Sequence, residues 1–323
     1  MVAQKVETQA ARNDGTASPV RIYAHDKMKR ILSHIGIALF KCFSLAPFWL
    51  LYLLADIFFY LSYYIIGYRK KTVMMNLKNA FPEKHEEERK HIAKAFYRHL
   101  ADLFFETIKA FSASEKTINK RFHYKNPELM DKLYDQGKSV ALLSGHYANW
   151  EWTITMPRIL KHKVNGIYRS AQNEVFDQYI RKVRSRFGGL LIPSKTSWRT
   201  MLELDRKGEI TSTYYLTDQT ALYDTKYWMM FLNQEAPVFP GPEIIASRLK
   251  QAVVFMDIQK VKRGYYEVEF TKLFDDASTT KEFEVTKAHT HFLEEIIHKR
   301  PELWLWSHKR WKHKRPGHIA LQE

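Results

Sequence analysis

The sequence predicts an α/β domain with a layered architecture and a mainly parallel central sheet. Short apolar runs of strand length alternate with longer segments of helical periodicity, and this alternation is typical of parallel sheets covered by helices. The strand candidates are residues 139–144, 166–169, 210–216, 252–257 and 265–270. The helix candidates are residues 151–160, 175–187, 196–207, 244–250 and 286–298. A chain of 323 residues is long enough to bury a large apolar core.

Charge and composition narrow the classes of partner and location. The chain carries 51 Lys and Arg against 35 Asp and Glu, a formal net charge of +16, which predicts an anionic partner such as nucleic acid, anionic lipid or an acidic carrier protein. An aromatic content of 14% favours a membrane interface, whereas a mean hydropathy of -0.42 excludes a polytopic membrane protein. The single cysteine, Cys42, excludes an intramolecular disulfide framework. One apolar segment on a polar body satisfies these observations.

The chain begins with a polar segment, residues 1–27, that we expect to be a disordered tail. Thr, Ala, Gln, Asn, Asp and Gly dominate this segment as far as Val20. Its large apolar residues are too few to bury a core. The segment also lacks the apolar stretch and the small-residue cleavage site of a signal peptide.

Residues 28–70 are predicted to anchor the chain to a membrane. Within them, residues 45–66 form an apolar run of about the length that crosses a bilayer as a helix. Asp56 interrupts the run, and an acidic residue at the bilayer centre costs about 2.5–3.5 kcal/mol, so the helix either spans the membrane or lies in its interface. Basic residues flank both ends, which leaves the orientation open. The alternative is a core helix hairpin that is kinked at Pro47.

The remaining residues, 71–323, are predicted to form one folded domain. It opens with a helical collar, because apolar residues between positions 76 and 111 recur at helical spacing. The strand candidate 139–144 follows the collar and ends at Gly145, as expected of a buried strand that stops at a turn.

The segment that follows this strand, residues 144–151, carries the strongest candidate for chemistry. It stands at a strand end, where α/β sheets commonly bind ligands. His146 and Glu151 would lie on different faces of a continuous helix, so they can meet only if His146 belongs to the turn at Gly145. A carboxylate on one ring nitrogen would leave the other to accept a proton. The alternative is a capping histidine and a glutamate in a surface ion pair.

This segment resembles the signature of the bacterial lipid A late acyltransferases, which is His, four residues, then Asp or Glu. Further matches follow one another along the chain, at residues 76–83, 168–169, 217–219 and 301–312. The chain departs from the family pattern at residues 231–233, where many relatives have Phe-Phe-Gly, and at Ser170, where a proline is expected. Both departures bear on the expected acyl or sugar pocket.

The resemblance implies an acyltransferase-like layered domain, residues 71–323, behind a membrane helix and the helical collar. It implies that His146 is the general base and that Glu151 orients it while an acceptor hydroxyl attacks a thioester, without a covalent acyl-enzyme. The implied substrate-binding residues are Arg169, Asn149, Asp218 and Gln219. Arg169 would hold a phosphate or the developing oxyanion, and the last two would brace the site more than react.

The resemblance also implies the partners. An acyl carrier protein would supply the acyl thioester, and the acceptor would be a lipid A precursor glycolipid. No cofactor, metal or nucleic acid is implied, since the family's chemistry is acid–base. The protein would lie on the bacterial inner membrane through contact with membrane lipids, with its catalytic domain in the cytoplasm.

The residues alone leave other functions open. Basic residues that alternate with Trp304, Trp306 and Trp311 suit single-stranded nucleic acid as well as a membrane surface. An acyltransferase for another membrane lipid, using a carrier protein or acyl-CoA, fits the same motif, and anionic-lipid binding without turnover would indicate a structural membrane protein. The basic residues between 181 and 186 are expected to form a solvated helix face or to face lipid phosphates. The histidines near residue 291 lack metal-ligand spacing.

Overall fold

The computed structural model describes residues 19–221, 225 and 227–322, with side chains from residue 28 onwards. Most of the expected tail, residues 1–18, lies outside the described residues. From Pro19 the chain is helical, so helix begins inside the segment that we expected to be disordered.

In the part of the chain that the structure describes, ten strands form two sheets. They are β1 (Phe122–Tyr124), β2 (Val140–Ser144), β3 (Lys163–Tyr168), β4 (Leu190–Pro193), β5 (Thr211–Leu216), β6 (Trp228–Phe231), β7 (Gln234–Pro237), β8 (Ala252–Lys262), β9 (Tyr265–Phe274) and β10 (Leu321–Gln322). The central sheet has the order β1-β9-β8-β2-β5-β3-β4, and only the β8–β9 pair is antiparallel. The prediction of an α/β domain with a mainly parallel sheet is confirmed. A small sheet of order β10-β6-β7 lies beside it.

Ten α-helices surround and precede these sheets within the described ranges. They are α1 (Pro19–Leu45), α2 (Phe48–Tyr60), α3 (Lys70–Ala80), α4 (Glu86–Lys109), α5 (Glu115–Asn119), α6 (Glu128–Asp135), α7 (Glu174–Ser185), α8 (Ser197–Arg206), α9 (Gly241–Arg248) and α10 (Glu284–Lys299). The segment expected as a helix at 151–160 is instead a 3₁₀ helix, Trp150–Arg158. Pro157 lies inside it and lacks the N–H that an α-helix would use.

Strand β2 occupies the centre of the sheet, and all five of its residues are buried. It pairs in parallel with β5 on one side and with β8 on the other. A central parallel strand is covered on both faces, so its sequence is a continuous apolar run and does not alternate with polar residues. This explains why the run was recognisable from sequence. The strands missed from sequence are short, as with β4, or belong to the small sheet, as with β6 and β7.

The N-terminal helices break at Pro47, which caps α2 and separates it from α1. Helix α2 continues through a π-helical turn, Leu61–Ile66. Of the described residues, one segment, Phe48–Ile66, is long and apolar enough to cross a membrane by length and composition. One face of α2 packs on the body through residues such as Leu51, Ala55 and Phe59. Its other face is exposed.

Asp56, the acidic residue within this segment, is paired with the folded body. Its carboxylate accepts from Arg263 at 2.7 Å, and Arg263 also contacts Asp102 of α4 at 2.7 Å. Arg263 lies in the turn between β8 and β9. Helix α2 is therefore attached to the folded body along its length, and Asp56 has a cation partner.

Candidate active site

The candidate site forms where β2 and β5 end side by side. Both strands run in parallel, so their carboxyl ends lie at one edge of the sheet. The histidine turn, residues 145–149, leaves β2 there, and Asp218 follows β5 two residues after its end. A Cβ atom on Gly145 would approach Leu293 to 2.7 Å and Asp218 Oδ2 to 3.3 Å. The turn can therefore approach Asp218 closely because residue 145 has no side chain.

His146 and Asp218 make the central contact. Asp218 Oδ1 lies 2.6 Å from His146 Nδ1, and Oδ2 accepts from the backbone N–H of His146 at 2.8 Å. The indole Nε1–H of Trp304 donates to Oδ2 at 2.8 Å. Burial raises the pKa of Asp218, but the attraction of His146 and these hydrogen bonds outweigh it and lower that pKa to about 2. The ionised carboxylate requires a proton on Nδ1, which leaves Nε2 of neutral His146 as the acceptor.

The expected contact between His146 and Glu151 is wrong. Glu151 Oε2 accepts from Arg184 Nε at 3.1 Å and its Oε1 accepts from Nη2 at 2.6 Å, a bidentate pair with α7. Glu151 lies on the 3₁₀ helix that leaves the turn, whereas Asp218 reaches Nδ1 from the neighbouring strand. Arg184 was expected on a solvated face or against lipid phosphates, and the structure instead places it against this carboxylate.

Asn149 does not reach the surface, contrary to its expected contact with substrate. The residue has no exposed area. Its Nδ2 donates to Glu106 Oε2 at 2.7 Å, and its Oδ1 caps the 3₁₀ helix by accepting from Trp152 N at 3.2 Å. Both the NH₂ group and the oxygen of this amide form hydrogen bonds inside the protein, so Asn149 supports the conformation of the turn.

The remaining predicted residues, Gln219 and Arg169, are both exposed. Gln219 is exposed, and its Nε2 lies 3.1 Å from Nε2 of His146. The imidazole keeps 14% exposure, and the ring of Trp150 meets it edge to face at 5.1 Å. Arg169 is exposed just beyond β3, and no hydrogen bond or ion pair to another described residue engages its guanidinium. The structure thus brings His146, Asp218 and Gln219 together.

Sequence reasoning missed the residues that hold the histidine turn. Ala148 adopts a left-handed conformation with φ of 51°, which costs about 1–2 kcal/mol for a residue with a side chain. Its carbonyl lies 3.2 Å from His99 Nε2, and its N–H donates to Leu303 O at 3.0 Å. Trp304 belongs to a recognised C-terminal match, which was the available signal, whereas nothing in the local sequence marks His99. Within the described ranges, no three or more His, Cys, Asp or Glu residues group into a metal site.

The geometry defines the class of the site. A histidine that is held by a carboxylate at Nδ1 and faces the opening with Nε2 can take a proton from a hydroxyl and return it to a leaving group. Such a site is suited to general acid–base catalysis.

The family follows from the comparisons. The model of the family described as bacterial lipid A biosynthesis acyltransferase matches residues 23–313, so the chain belongs to this family and is an acyltransferase. It is 24% identical to a lipid A biosynthesis acyltransferase of Haemophilus influenzae, over 75% of this chain and 76% of that protein. It is 22% identical to the lipid A biosynthesis myristoyltransferase of Escherichia coli and to lipid A biosynthesis acyltransferase 1 of Shigella flexneri, over 77% of each chain.

Proposed function

We propose that this acyltransferase moves a fatty acyl group from an acyl carrier protein thioester to a hydroxyl of a lipid A precursor. The observation that carries the proposal is the His146–Asp218 contact at the sheet edge. It supplies a base with a defined free nitrogen in a chain whose family acts in lipid A biosynthesis.

In the proposed reaction, His146 Nε2 takes the proton of the acceptor hydroxyl as its oxygen attacks the thioester carbonyl. Asp218 stabilises the imidazolium that forms. The tetrahedral intermediate collapses by breaking its carbon–sulfur bond, and the imidazolium returns the proton to the departing thiolate. The products are an ester and the carrier thiol, and His146 is neutral again. Gln219 gives up its contact with Nε2 when the hydroxyl arrives.

We propose that Arg169 binds a negatively charged group of the substrates. It is exposed beyond β3, the strand that pairs with β5, so it lies on the sheet edge that also carries Asp218. A guanidinium offers a planar fork of donors that suits a phosphate or an oxyanion. Its role would be to hold a phosphate of the acceptor or the oxyanion of the intermediate.

The charge of the chain supports an acidic carrier as donor, because a net +16 attracts an acidic partner over distance. The alternative within the same class is an acyltransferase that uses acyl-CoA or another membrane lipid. Nucleic-acid binding loses its main support, since Trp304 and Trp306 are 2% and 0% exposed and cannot stack on bases.

A membrane location is supported by the exposed apolar faces of α1 and α2. Five apolar side chains on these faces are each about half exposed or more: Ile35 and Leu39 on α1, and Trp49, Leu53 and Ile57 on α2. We place these faces against the inner membrane with the main domain in the cytoplasm, where carrier thioesters are made.

The test is an assay of the purified full chain with a lipid A precursor and matched acyl carrier protein and acyl-CoA donors, read by mass spectrometry of the lipid. The expected product is one additional ester-linked acyl chain with the carrier donor. The His146→Ala variant, checked for folding, is the control. Transfer by the variant at the wild-type rate, or no transfer by the wild type with either donor, would overturn the proposal.

A further inference from the structure

Glu106 is a buried carboxylate that the proposed reaction does not use. It lies on α4 and is 1% exposed. No Lys, Arg or His of the described residues lies within ion-pair distance of it. Burial, with Asp102 nearby, raises the pKa of Glu106 to about 7. Keeping such a group ionised costs free energy, so its contacts must explain its presence.

Three neutral donors from three separate elements meet this carboxylate. Tyr52 of α2 donates to Oε1 at 3.0 Å, and Tyr266 of β9 donates to Oε2 at 2.7 Å. Asn149 of the histidine turn donates to Oε2 at 2.7 Å. The backbone carbonyl of Glu106 also accepts from the indole of Trp152 at 2.9 Å. Above about pH 7, where this carboxyl is ionised, its hydrogen bonds are about twice as strong as neutral ones, so the three elements are held firmly at this point.

The contact with Asn149 determines how the amide is oriented. An ionised carboxylate only accepts, so Asn149 must turn its NH₂ group to Glu106. Its oxygen then points to Trp152 N and caps the 3₁₀ helix that follows the turn. With the amide reversed, two acceptors would face each other, and the N–H of Trp152 would lose its partner.

Helix α4 holds two successive residues of the turn. His99 and Glu106 are seven residues apart, so they lie on one face of the helix. His99 contacts the carbonyl of Ala148, whose φ is positive, and Glu106 contacts Asn149. A strained backbone persists only where its surroundings determine it. These two contacts therefore support the geometry that directs His146 towards Asp218.

We propose that Glu106 is a positioning residue that fixes the histidine turn by holding Asn149, and that it ties this turn to helix α2 through Tyr52. The proposal rests on the proposed acyl transfer. It joins the proposed membrane-facing helix to the histidine turn through two side-chain hydrogen bonds. Loss of the acceptor oxygen at position 106 would disturb the placement of His146 and lower kcat more than it raises KM.

The experiment compares Glu106→Met, which has no oxygen to accept from Asn149, with Glu106→Gln. A glutamine can turn its amide oxygen to Asn149 and Tyr266 and its NH₂ group to the hydroxyl oxygen of Tyr52, so it keeps the contact with the histidine turn. All are assayed as the full chain at about pH 8, with kcat and KM measured separately.

We expect kcat of Glu106→Met to fall by about tenfold to a hundredfold, with KM changed by less than about threefold. Glu106→Gln should stay within about fivefold of wild type, a difference that a role in packing alone would not produce because Met and Gln fill similar volumes. Tyr52→Phe should lower kcat by a smaller factor than Glu106→Met. A matched control is Glu243→Met, which removes another buried carboxylate, bound to Thr286 on a different helix, and should keep kcat within about twofold.

Wild-type kcat in Glu106→Met, or a Glu106→Gln variant no more active than Glu106→Met, would overturn the inference while leaving acyl transfer intact. An inactive wild type would instead overturn the proposed function. If Glu106→Met fails to fold, Glu106→Gln and Tyr52→Phe decide the matter. Full kcat in Tyr52→Phe contradicts the link to α2, and a folded Glu106→Gln variant whose kcat falls about a hundredfold contradicts the role of the acceptor oxygen.

Discussion

Asp218 binds His146 with both carboxylate oxygens, one on the ring and one on the backbone N–H, although 72 residues separate them in the chain. A two-point contact of this kind determines both the ring orientation and the tautomer. Trp304 donates to the same carboxylate and limits its rotation.

The first prediction is that His146 and Asp218 act as one catalytic unit. His146→Ala and Asp218→Asn should each lower kcat by about 10²–10⁴, the usual scale of general acid–base catalysis. The double variant should be scarcely worse than the poorer single variant, because groups that act together are strongly non-additive. Steady-state kinetics with circular dichroism of each variant measures this. Multiplicative losses would show two separate roles.

Glu151 should behave differently from Asp218. Glu151→Gln breaks the pair with Arg184, so we expect the free energy of unfolding to fall by about 1.5–3 kcal/mol, as for a hydrogen bond to a charged group. Its kcat should fall less than that of Asp218→Asn, since Glu151 does not contact His146. Denaturant unfolding and kinetics on the same samples check this, with Lys161→Gln, which breaks an exposed ion pair, as the control. A kcat as low as that of Asp218→Asn would contradict the geometry.

The low pKa of Asp218 predicts an acid-side loss of stability. This carboxyl titrates at about 2 in the folded protein and near 3.8 when unfolded, so the unfolded chain binds the proton more readily. Its stabilising contribution is complete above about pH 4 and is lost as the pH falls towards 2. Chemical denaturation between pH 5 and 2 should show this contribution in wild type and not in Asp218→Asn. Parallel curves for both proteins would count against an ionised Asp218.

Membrane binding should depend on the exposed face of α2. Leu53→Glu with Ile57→Glu should lower partition onto anionic vesicles by about tenfold or more, because two half-exposed apolar side chains are replaced by charges that anionic lipid repels. Ile244→Glu, a comparably exposed position on α9, is the matched control and should bind as wild type does. Vesicle sedimentation measures both. Equal binding by the α2 variant would place the membrane contact elsewhere.

Donor selection should depend on salt. If an acidic carrier protein docks on this basic chain, kcat/KM for the carrier-bound donor should fall steeply as ionic strength rises, since salt screens the attraction. The same acyl chain on coenzyme A should show a weaker dependence. Rates with both donors between about 0.05 and 0.5 M salt test this. Equal activity with both donors at every salt concentration would contradict a carrier-protein donor.

Much of the framework was recoverable from the sequence because it depends on local patterns. The apolar run at 139–144 and the glycine after it predicted strand β2 and its turn within one residue. Helical spacing after residue 174 predicted α7 and α8 to within two residues of their ends. The resemblance to the acyltransferase family, which short motifs carry, implied that His146, Asp218 and Gln219 belong to one site. Each of these inferences needs only the period of a regular element or a short motif.

Which side chains meet was decided by the tertiary structure. The order of strands places β5 beside β2, so His146 binds Asp218, whereas the nearer Glu151 turns to Arg184. The same packing buries Asn149 against Glu106 and pairs Asp56 with Arg263. Spacing along the chain sets the direction of a side chain within its own element, but a hydrogen bond between elements depends on how those elements pack. That packing follows from burial of the whole core, which no local segment contains.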